Sequence, residues 1–184
     1  MAERYDFSDS SKISEHFSVQ EFRCRCGRTH DTLLDTGLVQ KLEKLRDTLK
    51  CRAITINSGY RCSDHDRAVG GNGSGMHTKG MAADIVCTGA DGKPVNSGVI
   101  CCAAQDIGFG GIGKINGTAV HVDVRTSNFW KGDETVPGGT SGSVTADFYQ
   151  YFGLSRAEVY GTETLTGRLE INGKTYNVTL TEIG

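Results

Sequence analysis

Apolar residues recur along this chain at two intervals, one helical and one extended. From position 34 to 51, Leu38, Leu42, Leu45 and Leu49 fall three or four apart, with Lys41, Glu43, Lys44, Asp47 and Lys50 between them. That spacing predicts an amphipathic helix whose leucine stripe packs on a core. Residues 53–57 read as a short strand, and Gly59 ends it in a turn that hands Tyr60 and Arg61 to an exposed rim. In residues 81–87 a period of two puts Ala82, Asp84 and Val86 on one face and Ala83, Ile85 and Cys87 on the other. A second helix is predicted over 97–108, capped by Ser97 and closed by Gly108. Residues 110–115 lead through Asn116-Gly117, a type I′ hairpin signal, into a strand over 119–124. On that strand Val120, Val122 and Val124 share the buried face, and His121, Asp123 and Arg125 share the other. Upstream, Ser18 followed by Glu21 is a capping-box pattern for a helical turn, pinned by Phe17, Val19 and Phe22.

Beyond Trp130 the pattern changes. Residues 131–143 include Pro137-Gly138-Gly139 and read as a linker. Residues 144–153 predict a short helix with Phe148, Tyr149 and Phe152 as its apolar contacts. Residues 165–181 predict a hairpin turning at Asn172-Gly173, with Leu169, Ile171, Tyr176, Val178 and Leu180 available for packing. The chain thus divides into a domain over 1–130, a glycine-rich linker over 131–143 and a small extension over 144–184. That extension is either a partner-binding module or a segment packed on the first domain.

Composition narrows the picture. A length of 184 residues suits one domain with an appendage, and a formal charge of -2 argues against a nucleic-acid surface. Residues 1–14 are polar without an apolar segment of the secretory kind, and no stretch reaches membrane-spanning length. The expectation is therefore a protein without an integral membrane segment and cytoplasmic as synthesised; its oligomeric state is open, with a monomer favoured. Seven cysteines are an odd count, which argues against a complete disulfide framework. Buried free thiols are the favoured reading. Cys24-Arg25-Cys26 with His30 supplies three metal-type ligands, but the gap is one residue rather than two and a fourth ligand is missing from the local sequence.

Candidate chemistry concentrates between positions 57 and 125. Asp84 in an otherwise apolar strand needs a partner, which a metal, a salt bridge or hydrogen bonds would each provide. His77, Asp84 and His121 together offer two imidazoles and a carboxylate. Three N/O ligands are what a catalytic zinc ion usually receives from protein. Arg61 lies just upstream, and the loop 62–74 carries Asp64, His65, Asp66 and Gly70-Gly71-Asn72-Gly73. Those glycines either frame a site or make a loose surface loop.

Four motifs resemble those of the M15 zinc peptidases: Ser58-Gly-Tyr-Arg61, Ser74-Gly-Met-His77-Thr-Lys-Gly-Met-Ala-Ala-Asp84, Gly110-Gly-Ile-Gly113 and His121-Val-Asp-Val-Arg125. The similarity spans roughly residues 10 to 130 and is strongest to the branch of D-alanyl-D-alanine carboxypeptidases and phage-type peptidoglycan endopeptidases (endolysins). It implies a compact α+β domain of the hedgehog/D-Ala-D-Ala carboxypeptidase type, with a central antiparallel sheet flanked by helices. It also implies Zn2+ held by His77, Asp84 and His121, with Arg61 stabilising developing negative charge. Tyr60, His16 and Ser74 fall on substrate-side positions, and the expected partner is a peptidoglycan peptide, with no nucleic acid. A chain of this kind reaches its wall substrate through a phage-type holin or lysis. In many relatives an acid stands three residues before the last histidine, where this chain has Thr118. Asp123 is then either the general base or the group that holds His121 in the right tautomer; His65 is a weaker candidate for proton transfer. The alternative is a non-catalytic wall-binding or phage structural protein that retains the fold.

Overall fold

The structure is a computed structural model that describes residues 2–133, 143–161, 164–172 and 174–181. Its centre is a five-stranded sheet of order β3-β4-β6-β5-β7: β3 (Ala53–Ser58), β4 (Ala82–Thr88), β5 (Gly111–Lys114), β6 (Ala119–Asp123) and β7 (Phe129–Lys131). Four of these strands pair antiparallel, and β7 joins β5 in parallel. The expected all-antiparallel sheet is therefore a mixed one. β7 was not foreseen because Phe129-Trp130-Lys131 is too short for a period to declare itself.

Alternation on β4 and β6 decides which face is core. Ala83, Ile85, Cys87, Val120 and Val122 are fully buried under the helices. Helix α1 (Thr36–Thr48) covers that face with Leu38, Leu42 and Leu45, and Asp35 caps it by accepting from the Gly37 N–H. Leu34, read as the start of this helix, instead sits in β2 (Thr32–Asp35). That strand pairs antiparallel with an unforeseen β1 (Ala2–Tyr5). Helix α3 (Ser97–Ile107) lies alongside. Its cap is Asn96, one residue before the expected Ser97, and Gly108 ends it at φ 87°.

Two loops differ from expectation. The β5–β6 connection is longer than a two-residue type I′ turn, and neither Asn116 nor Gly117 has positive φ. Instead the Asn116 side chain accepts from the Thr118 and Ala119 N–H groups, closing the turn with a side-chain acceptor. The segment after Arg61, read as a loop, contains helix α2 (Ser63–Ala68).

The tail does not stand apart up to residue 160. Helix α4 (Phe148–Phe152) buries Phe148 completely, 5.6 Å from the Trp130 ring, and its N–H donates to Gln105 on α3. Helix α5 (Arg156–Tyr160) adds Tyr160, whose hydroxyl meets Asp106 together with Tyr149 and Arg156. Strands β8 (Thr164–Ile171) and β9 (Lys174–Thr181) form the expected hairpin. Its Ile171 and Tyr176 are exposed rather than packed. Most of the expected linker (134–142), Gly173, and the side chains of Leu169 and Leu180 lie outside the described residues.

Candidate metal centre

The polar face of the sheet builds the site. Asp84 and His121 are direct cross-strand partners on β4 and β6, so their side chains rise side by side. His77 enters from a 3-10 turn (His77–Lys79) ended by Gly80 at φ 70°. At Gly80 a side chain would strike the Leu33 backbone as well. His77 Nε2 lies 3.2 Å from both His121 Nδ1 and Asp84 Oδ1, and the last two atoms are 3.0 Å apart. A tetrahedral ion with bonds of about 2.05 Å spaces its ligand atoms by about 3.3 Å. The three atoms thus form one face of such a polyhedron.

Their hydrogen bonds set which ring nitrogens face the centre as acceptors. His77 Nδ1 sits 2.7 Å from the Gly59 carbonyl, to which only an N–H can donate. His121 Nε2 lies 3.2 Å from Asp123 Oδ2 in the same way. In the neutral tautomers these contacts select, Nε2 of His77 and Nδ1 of His121 are both acceptors facing the Asp84 carboxylate. In those tautomers three acceptors converge, an arrangement that a cation completes. When the rings are protonated instead, their hydrogen bonds and positive charge stand in for the cation, outweigh the burial of Asp84 and hold its carboxyl well below its usual range. The donor set is N/N/O with three protein ligands, as zinc hydrolases use.

Around it is a second layer of contacts. Asp123 is fully buried, with Oδ1 and Oδ2 taken by the Arg125 guanidinium and Oδ2 also facing His121. Burial raises its pKa, and the bonds from His121 and Arg125 reverse that and leave it well below the ordinary value. One glycine of β5 makes this possible. Gly111 lies opposite Asp123 in register, and a Cβ there would overlap the carboxylate. Arg61 donates from Nε to Ser58 Oγ and from Nη2 to Asp84 Oδ2, with Nη1 3.5 Å from Asp66. Asp66 in turn accepts from the Gly73 N–H, fastening the glycine loop to the same chain of contacts. Asp66 is a buried acid on a helix whose sequence reads as a loop, a placement that periodicity does not show.

The remaining expected residues are placed as follows. His16 pairs with Glu43 on α1, Nδ1 to Oε2 2.8 Å, and lines a cavity of about 570 Å³ with Gln20, Arg25, Arg46 and Arg52 that none of the three ligands borders. Tyr60 presents its ring to His30, 5.8 Å between centroids. Ser74 is exposed and its hydroxyl donates to Asn72. His65 Nδ1 lies 3.2 Å from Cys24 Sγ. Thr118 sits in the β5–β6 turn with its hydroxyl on Asn116.

An α+β fold with a mixed sheet, carrying a metal-binding cluster of two histidines and an aspartate on its polar face, defines a hydrolase-like metal centre. Comparison with protein families matches residues 15–123 to Peptidase M15. The chain belongs to that family, and the matched span contains the three ligands, Arg61 and Asp123. A comparison with curated proteins found no match.

Proposed function

We propose that this protein is a zinc-dependent peptidase that hydrolyses amide bonds in peptidoglycan stem peptides or cross-links, as a D-alanine carboxypeptidase or an endopeptidase. The observation that carries the metal-hydrolase reading is the convergence of His77 Nε2, His121 Nδ1 and Asp84 Oδ1 at 3.0–3.2 Å with their lone pairs inward. The wall substrate rests on the motif resemblance to the carboxypeptidase and endopeptidase branch.

When bound, zinc supplies a water of lowered pKa and a Lewis acid for the scissile carbonyl. The chain's own groups prepare that chemistry. Gly59 and Asp123 each fix the tautomer of one histidine, so both rings arrive with the correct nitrogen unprotonated. Arg61 turns Asp84 so that Oδ1 faces the histidines, and its guanidinium places positive charge beside the centre, where an oxyanion develops. Asp123 acts on this reading as a positioning residue. Its two oxygens are engaged and it is fully buried, which supports that role over proton transfer from solvent.

Mass analysis of products from purified peptidoglycan tests the proposal. New peptide ends or free D-alanine should form with zinc-loaded protein, vanish with a chelator and return with zinc. Intact stem peptides and cross-links after incubation with fully loaded protein would reject it.

A further inference from the structure

A second group of metal-type side chains lies outside the site just described. Cys24, Cys26, His30 and Cys62 each present one ligand atom, all within 4.8 Å of one another. The fourth ligand missing from the local sequence is Cys62, brought in by the turn after β3. Four ligands around zinc with sulfur bonds of about 2.3 Å stand about 3.8 Å apart at the sulfurs, so the group needs only a small contraction to close on an ion.

Two features point to a metal rather than to idle thiols. His30 Nδ1 lies 3.0 Å from the Asp31 carbonyl and must donate to it. That leaves the Nε2 lone pair aimed at Cys26 Sγ, 3.1 Å away. The sulfurs are surrounded by donors suited to thiolates: the Cys62 N–H reaches Cys24 Sγ at 3.3 Å, and Arg28 Nη2 reaches Cys62 Sγ at 3.3 Å. A backbone N–H from Arg28 also reaches Cys26.

We propose that Cys24, Cys26, His30 and Cys62 bind a structural zinc ion, a closed tetrahedral Cys3His site distinct from the His77–Asp84–His121 centre. With all four positions filled by protein, the ion has no corner for water and does no hydrolysis. Its effect is mechanical. Cys62 directly follows Arg61, and the same turn is held by the Tyr60 N–H on the Phe22 carbonyl and the Arg61 N–H on the His77 carbonyl. The metal would therefore staple the segment 24–30 to the turn that delivers Arg61 to Asp84. The proposal does not rest on the peptidase reading.

The experiment uses the full chain purified in reductant with zinc, counted by elemental mass spectrometry. Wild type should carry two zinc ions per chain, one for each ligand group, and its zinc X-ray absorption should show sulfur neighbours, which the His77 centre does not contain. The His77→Ala/His121→Ala variant should keep one ion, and its cobalt derivative should show sulfur-to-cobalt charge-transfer absorption. Cys26→Ser and Cys62→Ser should lose that ion and that absorption. Wild-type zinc with a sulfur-free coordination shell would overturn the proposal, whether or not any variant folds. So would a disulfide among Cys24, Cys26 and Cys62 in the reduced, zinc-treated protein.

Discussion

Replacing Asp123 by Asn separates two roles that one carboxylate can play beside a metal histidine. The substitution keeps the shape and an acceptor for Arg125 but removes the charge that holds the His121 Nε2 proton. Loss of such a partner typically costs 10–100-fold in metal affinity, about 1.4–2.7 kcal/mol. Arg125 keeps some contact with solvent, its side chain being 21% exposed. The folding penalty should therefore stay near that of one charged hydrogen bond, roughly 1–3 kcal/mol. A general base contributes differently, about 10²–10⁴-fold in rate, and its removal erases the acidic limb of the rate profile. Zinc affinity measured against a chromophoric chelator, and kcat measured across pH at saturating zinc, read the two effects independently. The geometry predicts weaker zinc binding with the shape of the kcat profile retained. Unchanged zinc affinity with kcat down by more than about 100-fold and the acidic limb gone would refute the positioning role.

Three further outcomes follow from the packing and the charges. Gly111→Ala drives a Cβ into the Asp123 carboxylate, so zinc affinity measured by the same competition should fall at least as far as in Asp123→Asn. Phe148→Ala empties a fully buried aromatic site between Trp130 and Phe152; a loss of about 3–5 kcal/mol, or roughly 6–20 °C in Tm by calorimetry, is expected, and an unchanged Tm would show that α4 is not part of the core. In reduced, metal-free protein, Cys26 carries a lowered pKa of about 6, so its thiolate is populated above that pH. Mass-mapped alkylation should therefore rise through pH 6 at Cys26 first, lag at Cys24, and be suppressed by zinc.

The sequence made the regular parts legible wherever a period could run. The leucine stripe of α1 and the alternation on β4 and β6 located core and polar faces. The distant His77, Asp84 and His121 could be grouped because each motif carried one recognisable ligand. What stayed hidden was set by tertiary pairing. Phe129–Lys131 becomes a strand only because β5 offers an edge to pair with. Asn116-Gly117 adopts a side-chain-closed turn instead of a type I′ turn because the Asn116 oxygen competes for the Thr118 and Ala119 amides. Cys62 joins Cys24, Cys26 and His30 across more than thirty positions, a proximity that no local spacing encodes. Asp66 looked like one charge among several in a loop, and its place beside Arg61 depends on α2 forming.

The three ligands of the main centre do not share one kind of support. Asp84 and His121 are locked opposite each other in neighbouring strands of a sheet interior, whereas His77 hangs from a single short turn. Opening that turn requires breaking a handful of backbone bonds and leaves the ladder intact. Ion exchange should thus proceed through departure of His77 alone, at a rate matched to amide-proton exchange in residues 77–80 and much faster than that of β4 and β6.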